Sequence, residues 1–319
     1  MNREANRIVV VAVGGNALMK ETQKGTLEEQ TRNVESCTAE LIKIIRAGYQ
    51  LVLTHGNGPQ IGLIMLRDAV NGAQVTRPPM PLYIYNAETQ GQIGFQLMRS
   101  LCNRAIREGI PHQITAMLTQ VVVDRNDPCL THPTKPIGPF YTKEEMDALQ
   151  KELPFPYVED SGRGYRKVVC SPRPKEIVEA RVIKGLTALG LSVISAGGGG
   201  IPLVRGEDGT LTGCEAVIDK DFTSALLAEQ IDASTLMILT GVERVSVNFR
   251  KPDMRELGVV RLEEMKRYLA EGHFPPGSMG PKVEAAIEFV ENSGGRAIIT
   301  CLEKAVDALE GKTGTTLIP

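Results

Sequence analysis

The residues best suited to chemistry in this chain are glycines at strand ends and lysines at helix starts. In "RIVVVAVGGNALM" an apolar run stops at Gly14, Gly15 and Asn16. The same design returns in "YQLVLTHGNGPQIG", with Gly56, Asn57 and Gly58, and in "LSVISAGGGGIP", with Gly198 and Gly199. Backbone without a Cβ lets N–H groups approach an anion closely, and a following helix start adds partial positive charge. One such loop is ordinary punctuation between strand and helix. Three predict a single place where strand ends meet around an anion or phosphate. None reads G-x-x-x-x-G-K-[ST] or G-x-G-x-x-G, which disfavours a P-loop and a dinucleotide fingerprint alike.

Lys220 stands in "VIDKDFTSAL" at a helix start between Asp219, which suits a helix cap, and Asp221. Lys282 follows Gly280 and Pro281 at another helix start, in "GSMGPKVEAA". A cation in a helix's first turn opposes the macrodipole, so each implies an anion nearby. Lys135 lies in "THPTKPIGPF". A lone lysine is usually a solvated one. Two at glycine-flanked helix starts, with a third in a proline-rich stretch, point to phosphate contacts. His55 precedes Gly56, where a site role and a packing role are both open. His112, His132 and His273 have no metal-ligand spacing, and there is no G-x-S-x-G elbow or Cys/His pair, so hydrolase chemistry lacks support.

Strand-like runs alternate with helical patterns along the whole chain, which predicts an α/β fold with a largely parallel sheet and helices on both faces. Thr26 and Glu29 form a capping box for a helix ending near Gly48, with Val34, Cys37, Leu41, Ile44 and Ile45 at helical spacing. "LVLTH" is the next strand and Pro59 opens the helix after it. "AETQGQIGFQLMRSLCNRAIREG" reads as a long helix, and "PKEIVEARVIKGLTALG" as a helix beginning at Pro174. Between residues 124 and 174 fall eight of the chain's 19 prolines, Pro154 among them, which rules out a regular core helix or central strand. That stretch is expected to protrude as a lid, with a short helix in "GPFYTKEEMDALQ". A hairpin turning at Asp208-Gly209 follows the third glycine loop. The texture changes near Gly213.

Lys and Arg total 36 against 38 Asp and Glu, a net charge of -2, so a nucleic-acid polyanion is not the expected partner. The 319 residues hold no apolar run of 18, and the polar start "MNREANR" leads straight into a strand, so neither a membrane span nor a signal peptide is expected. Cys37, Cys102, Cys129, Cys170, Cys214 and Cys301 are scattered, without a C-x-x-C pair. Reduced structural thiols in a cytoplasmic protein are the expectation.

Taken together, "VGGNAL", "THGNGPQIG", "THPTKPIGP", "SAGGGGIP", "VIDKD", "GSMGPKVEAA" and the ending "GTTLIP" closely resemble the carbamate kinases, a branch of the amino acid kinase superfamily. The segments span almost the whole chain. The resemblance implies an open αβα sandwich in two lobes, usually a homodimer. It also implies reversible phosphoryl transfer between ATP and carbamate, with Mg²⁺, giving ADP and carbamoyl phosphate. Residues 1–213 would hold the carbamate or carbamoyl group, with a protruding lid at about 124–174, and residues 214–319 would hold the nucleotide. By motif, Gly14, Gly15, Asn16, Gly56, Asn57, Gly58, Gly198 and Gly199 would surround the carbamoyl group and the transferring phosphate. Lys220 and Lys282 would contact the phosphates, and Asp221 would hold the lysines in place. Thr240, Gly241 and Val245 of "LTGVERVSVNF", together with Met279, would receive adenine and ribose. Many superfamily kinases carry a lysine where this chain has Ala12; the carbamate kinases do not, and their lid lysine, here Lys135, stands in.

Carbamate already carries a nucleophilic oxyanion, so its kinase needs positioning and charge stabilisation rather than a general base. Each of three lysines strengthening its contact in the transition state would contribute about 2–4 kcal/mol. ATP formation, serving arginine breakdown, is the expected direction. Two other readings remain at this point: a superfamily kinase acting on an amino acid carboxylate, and a nucleotide-binding regulator without catalysis.

Overall fold

The computed structural model describes residues 7–19, 23–75, 80–152, 156–159, 162 and 164–319, apart from the side chains of 16, 17, 69–75, 139 and 152. Pro154 lies outside them.

The first half runs β1 (Ile8–Val13), α1 (Gly15–Leu18), α2 (Leu27–Arg46), β2 (Gln50–His55), α3 (Gly58–Val75), α4 (Leu82–Arg107), β3 (Ile114–Ala116) and β4 (Gln120–Val123). Then come β5 (Lys135–Tyr141), α5 (Lys143–Glu152), β6 (Tyr157–Glu159), β7 (Tyr165–Val169), β8 (Pro174–Ile177), α6 (Ala180–Ala188), β9 (Ser192–Ile194), β10 (Ile201–Arg205) and β11 (Leu211–Gly213). The remainder is α7 (Lys220–Gln230), β12 (Thr235–Thr240), β13 (Ser246–Val247), β14 (Arg255–Glu256), β15 (Val259–Arg261), α8 (Leu262–Ala270), α9 (Met279–Ser293), β16 (Arg296–Cys301), α10 (Ala305–Leu309) and β17 (Thr315–Ile318).

An eight-stranded sheet carries the order β15-β17-β16-β12-β1-β2-β9-β3, and every pairing but β16 with β17 is parallel. From β1 the chain moves outward through β2 on one side, and it returns later to place β12 on the other. That reversal puts a crevice at the carboxyl ends of β1 and β12, where open α/β sheets receive ligands. β1 is apolar throughout because both its faces are covered. Val10 and Ala12 join the core beneath α7 and α9, while Val9, Val11 and Val13 join the core beneath α2 and α4. α2 starts where the sequence predicts: Thr26 Oγ1 accepts from the Glu29 N–H, and the Glu29 carboxylate accepts from the Thr26 N–H.

β5, β6 and β7 form a three-stranded antiparallel sheet in the order β5-β7-β6, with α5 as its helix. Ile137 and Val169 of this sheet pack against Ile61, Leu82, Tyr85 and Val217, which seats it on α3 and α4. β4, β8, β10 and β11 make a further small sheet, and Gly206–Thr210 turns its β10–β11 hairpin as expected. The helix expected from Pro174 is corrected here. Residues 174–177 are instead an edge strand paired antiparallel to β4, and the helix begins at Ala180. Proline is compatible with the first position of an edge strand, where its missing N–H costs no ladder bond.

Candidate active site

The carboxyl ends of β1, β2, β12 and β16 open into a cleft of about 760 Å³. It gathers Gly14, Gly15, Gly56, Asn57, Gly58 and Gly198 on one side, and Lys135, Lys220, Asp221 and Lys282 on the other. Thr240 and Gly241 line it at the end of β12. Ser36, Cys37, Cys301 and Glu303 line another part of the wall, which the sequence did not single out.

Three expected residues sit behind the wall instead. Gly199 is buried, and its carbonyl accepts from Thr223 Oγ1 at 2.8 Å. Val245 is a core residue whose N–H donates to Thr315 Oγ1, and Met279 opens α9 packed against the same core. The backbone of Asn16 belongs to α1, and its side chain lies outside the described residues.

The charged side of the cleft is built on Asp221, near the start of α7 and 3% exposed. Lys220 pairs with Asp221 Oδ1, and Lys282 Nζ reaches Asp221 Oδ2 at 2.8 Å from the first turn of α9. Burial opposes the Asp221 charge, but the two ammonium groups outweigh it and hold the carboxyl well below the usual carboxylate range. Burial, aided by the charge of Lys282, pulls Lys220 below the ordinary lysine value against the attraction of Asp221. Burial opposes the charge on Lys282 too, yet Asp221 leaves that lysine above its ordinary value. Lys135 comes from β5 and donates to Asp219 Oδ2 at 3.1 Å and to the Ile218 carbonyl at 3.3 Å. Asp219 therefore serves twice, since its Oδ1 accepts the Asp221 N–H at 2.9 Å and caps α7. The sequence assigns only the cap. Ala12 on β1 is fully buried, and Lys135 reaches the cluster from β5.

The opposite side carries no charge. Asn57 Nδ2 donates to Asn86 Oδ1 and, at 2.8 Å, to Thr89 Oγ1, while Asn86 Nδ2 donates to the Gly200 carbonyl. Gln90 holds the same loop through the Gly197 carbonyl at 2.9 Å and through Thr119. Ala196 opens that loop in a left-handed conformation, φ 50°, a form of backbone strain that concentrates at functional sites. At Gly198, φ is +65° and a Cβ would lie 2.0 Å from Asn57 Nδ2. At Gly56 a Cβ would lie 2.8 Å from the Gly15 nitrogen, so two of the glycine loops meet backbone to backbone. His55 is buried beneath them. Its Nδ1 lies 3.1 Å from the Gly56 carbonyl, and burial lowers its pKa to about 4, which favours the neutral ring. Asn86, Thr89 and Gln90 escaped the sequence reading; the signal was their i, i+3, i+4 spacing, which puts three polar groups on one face of α4.

Such an arrangement can bind and polarise phosphate between fixed N–H dipoles and mobile ammonium groups. No histidine among the described residues lines it, and Glu303 is a lining carboxylate not held by a lysine. Among the described residues no group of three His, Cys, Asp or Glu side chains could hold a metal ion. All six cysteines are free thiols, and no described helix is long and apolar enough to cross a membrane.

Comparison with known proteins agrees with this geometry. The model of the amino acid kinase family matches residues 7–301. The carbamate kinase of Thermococcus kodakarensis is 48% identical over 311 residues, covering 97% of this chain and 98% of that protein. The structure of carbamate kinase from Giardia lamblia bound to AMP-PNP superposes with a TM-score of 0.89 at 45% identity, covering 98% of this chain and 99% of that one. The same Giardia enzyme bound to citric acid gives 0.93 at 44% identity, with the same coverage. The chain belongs to the amino acid kinase family, on its carbamate kinase branch.

Proposed function

We propose that the protein is a carbamate kinase, transferring a phosphoryl group reversibly between ATP and carbamate. The observation that carries this reading is the trio of lysines from three separate elements, Lys135, Lys220 and Lys282, converging on one glycine-lined cleft.

In the ATP-forming direction, a terminal phosphate oxygen of ADP attacks the phosphorus of carbamoyl phosphate. The new P–O bond forms as the bond to the carbamate oxygen breaks, and carbamate departs as an anion. No proton has to move, so the step needs no general base. Lys220 and Lys282 release Asp221 in part and follow the developing charge on the phosphoryl oxygens. Lys135 closes over the transferring group from β5. Backbone N–H groups at Gly14, Gly15, Gly56 and Gly198 supply fixed dipoles on the other side. Asn16, Asn57 and Gly58 complete the carbamoyl side, and Gly199 holds its loop in place.

Thr240 and Gly241, where β12 opens into the cleft, are assigned to the nucleotide, with Met279 and Val245 shaping that wall from behind. Mg²⁺ would accompany the nucleotide and would neutralise part of its phosphate charge. Residues 1–213 with the 124–174 lid, and 214–319, form the carbamoyl and nucleotide lobes. A cytoplasmic homodimer, producing ATP during arginine breakdown, completes the proposal.

The test is ATP formation from ADP, Mg²⁺ and carbamoyl phosphate by purified protein. Rapid formation, absent with amino acid acyl phosphates, supports carbamate as the acceptor. No formation at all would leave a nucleotide-binding regulator.

A further inference from the structure

Arg173 stands outside the cleft, yet it touches α7 and α9, which carry Lys220 and Lys282, and the passage that leads to β5. Its backbone N–H donates to Asp127 Oδ2 at 3.0 Å, and Asp127 also caps the turn at Pro128–Leu130. Those two passages are the chain's way into and out of the β5–β7–β6 sheet. The side chain runs the other way. Its guanidinium lies 3.5 Å from the centroid of the Phe222 ring on α7, one residue after Asp221. One arm of the fork reaches Glu288 Oε1 at 2.8 Å and the other pairs with Glu284, both on α9.

Side chains join α7 to α9 inside the cleft, behind it, and near their carboxyl ends, where Asn292 Nδ2 donates to Glu229 Oε2 at 3.1 Å. Inside the cleft the joint is Asp221 with Lys282; behind it the joint is Phe222 and Arg173 with Glu284 and Glu288. When Lys282 turns to a phosphate the first joint loosens, whereas substrate never reaches the second. We infer that Arg173 is a positioning residue, which keeps α9 and its Lys282 in register with α7 and with the root of the Lys135-bearing sheet while the cleft exchanges partners. The inference rests on the carbamate kinase reading. Each ion pair is half exposed and worth little by itself. The rear joint gains from a planar fork engaging two carboxylates and stacking on a ring, a geometry lysine cannot reproduce. Its effect is on placement, and small misplacements of a charge stabiliser are costly in rate.

The experiment compares Arg173→Ala, Arg173→Lys and the double variant Glu284→Gln/Glu288→Gln with the unaltered protein in the ATP-forming assay. Arg173→Ala is expected to lower kcat about tenfold while KM for carbamoyl phosphate and for ADP stays within about twofold, with the helical circular dichroism unchanged. Arg173→Lys should recover part of that loss. The Glu284→Gln/Glu288→Gln variant, which keeps the stack on Phe222, should lower kcat by about threefold to fivefold. Should Arg173→Ala fail to fold, the other two variants carry the test alone. Unchanged kcat in them, or a loss that follows only the fraction of folded protein, overturns the inference. A lack of turnover in the unaltered protein would instead overturn the proposed function, so the two failures are distinguishable.

Discussion

The two walls of the cleft solve the same problem, stabilising a phosphate, by opposite means. On the glycine side, neutral dipoles are fixed by a buried amide network running from Asn57 through Asn86 to Gly200. On the lysine side, three charges are held by two aspartates that must share or surrender them. The first wall is preorganised and has nothing to rearrange when substrate arrives. The second is balanced against itself until a competing anion appears. Fixed dipoles suit the part of the substrate present throughout, and exchangeable charges suit the part where charge develops.

If that division holds, removing a charge should damage turnover and removing an amide should damage the fold. The largest effect is expected from Lys282→Ala, which should lower kcat by about 100-fold or more with the folded structure retained. Steady-state kinetics beside a thermal melt would check it, and near-normal turnover would remove Lys282 from the mechanism. Lys135→Ala should follow, lowering kcat by about 30-fold while ADP affinity, read by calorimetry, changes little. Equal losses in both would make Lys135 a general binding residue and blur the comparison.

On the neutral wall, Asn86→Ala should cost about 1–3 kcal/mol of stability for each buried group it orphans, seen as a lower urea midpoint. The kcat of the folded fraction should fall less than tenfold, and a collapse of kcat without loss of stability would place Asn86 in the chemistry. The smallest effect comes from His55. Its pKa, about 4 when folded, lies below the ordinary value of 6.5, so the unfolded chain binds the extra proton between those two values. Stability is therefore fully present above the unfolded value and is lost as pH falls through the folded one. Going from pH 7 to pH 5 should remove about 2 kcal/mol, and His55→Gln should flatten that slope in urea titrations.

Much of the cleft was legible because glycine and lysine are unusual at strand ends and helix starts. Gly14, Gly56, Gly198, Lys220 and Lys282 come from five distant stretches, and each announces itself locally. The partners of those residues do not. Asn86 and Gln90 look like ordinary polar residues on a helix, and only the burial of that face shows what they hold. Val245 illustrates the converse: a motif position read as a ligand contact is an apolar residue filling the core behind it. Pro174 misled for a related reason, since proline opens helices and edge strands alike, and the choice was made by β4 lying alongside. Arg173 was invisible because its partners on α7 and α9 lie 49 to 115 residues away in sequence.

The cluster of three lysines and two aspartates carries one net positive charge, and Glu303 on the cleft wall takes even that away. Such a cleft has little capacity to draw a bare polyphosphate out of bulk solution by long-range attraction, and its capture rate should change only shallowly with ionic strength. A nucleotide already partly neutralised by its counter-ion matches it better than a free one. The cleft thus selects its ligand by charge balance before any hydrogen bond is made.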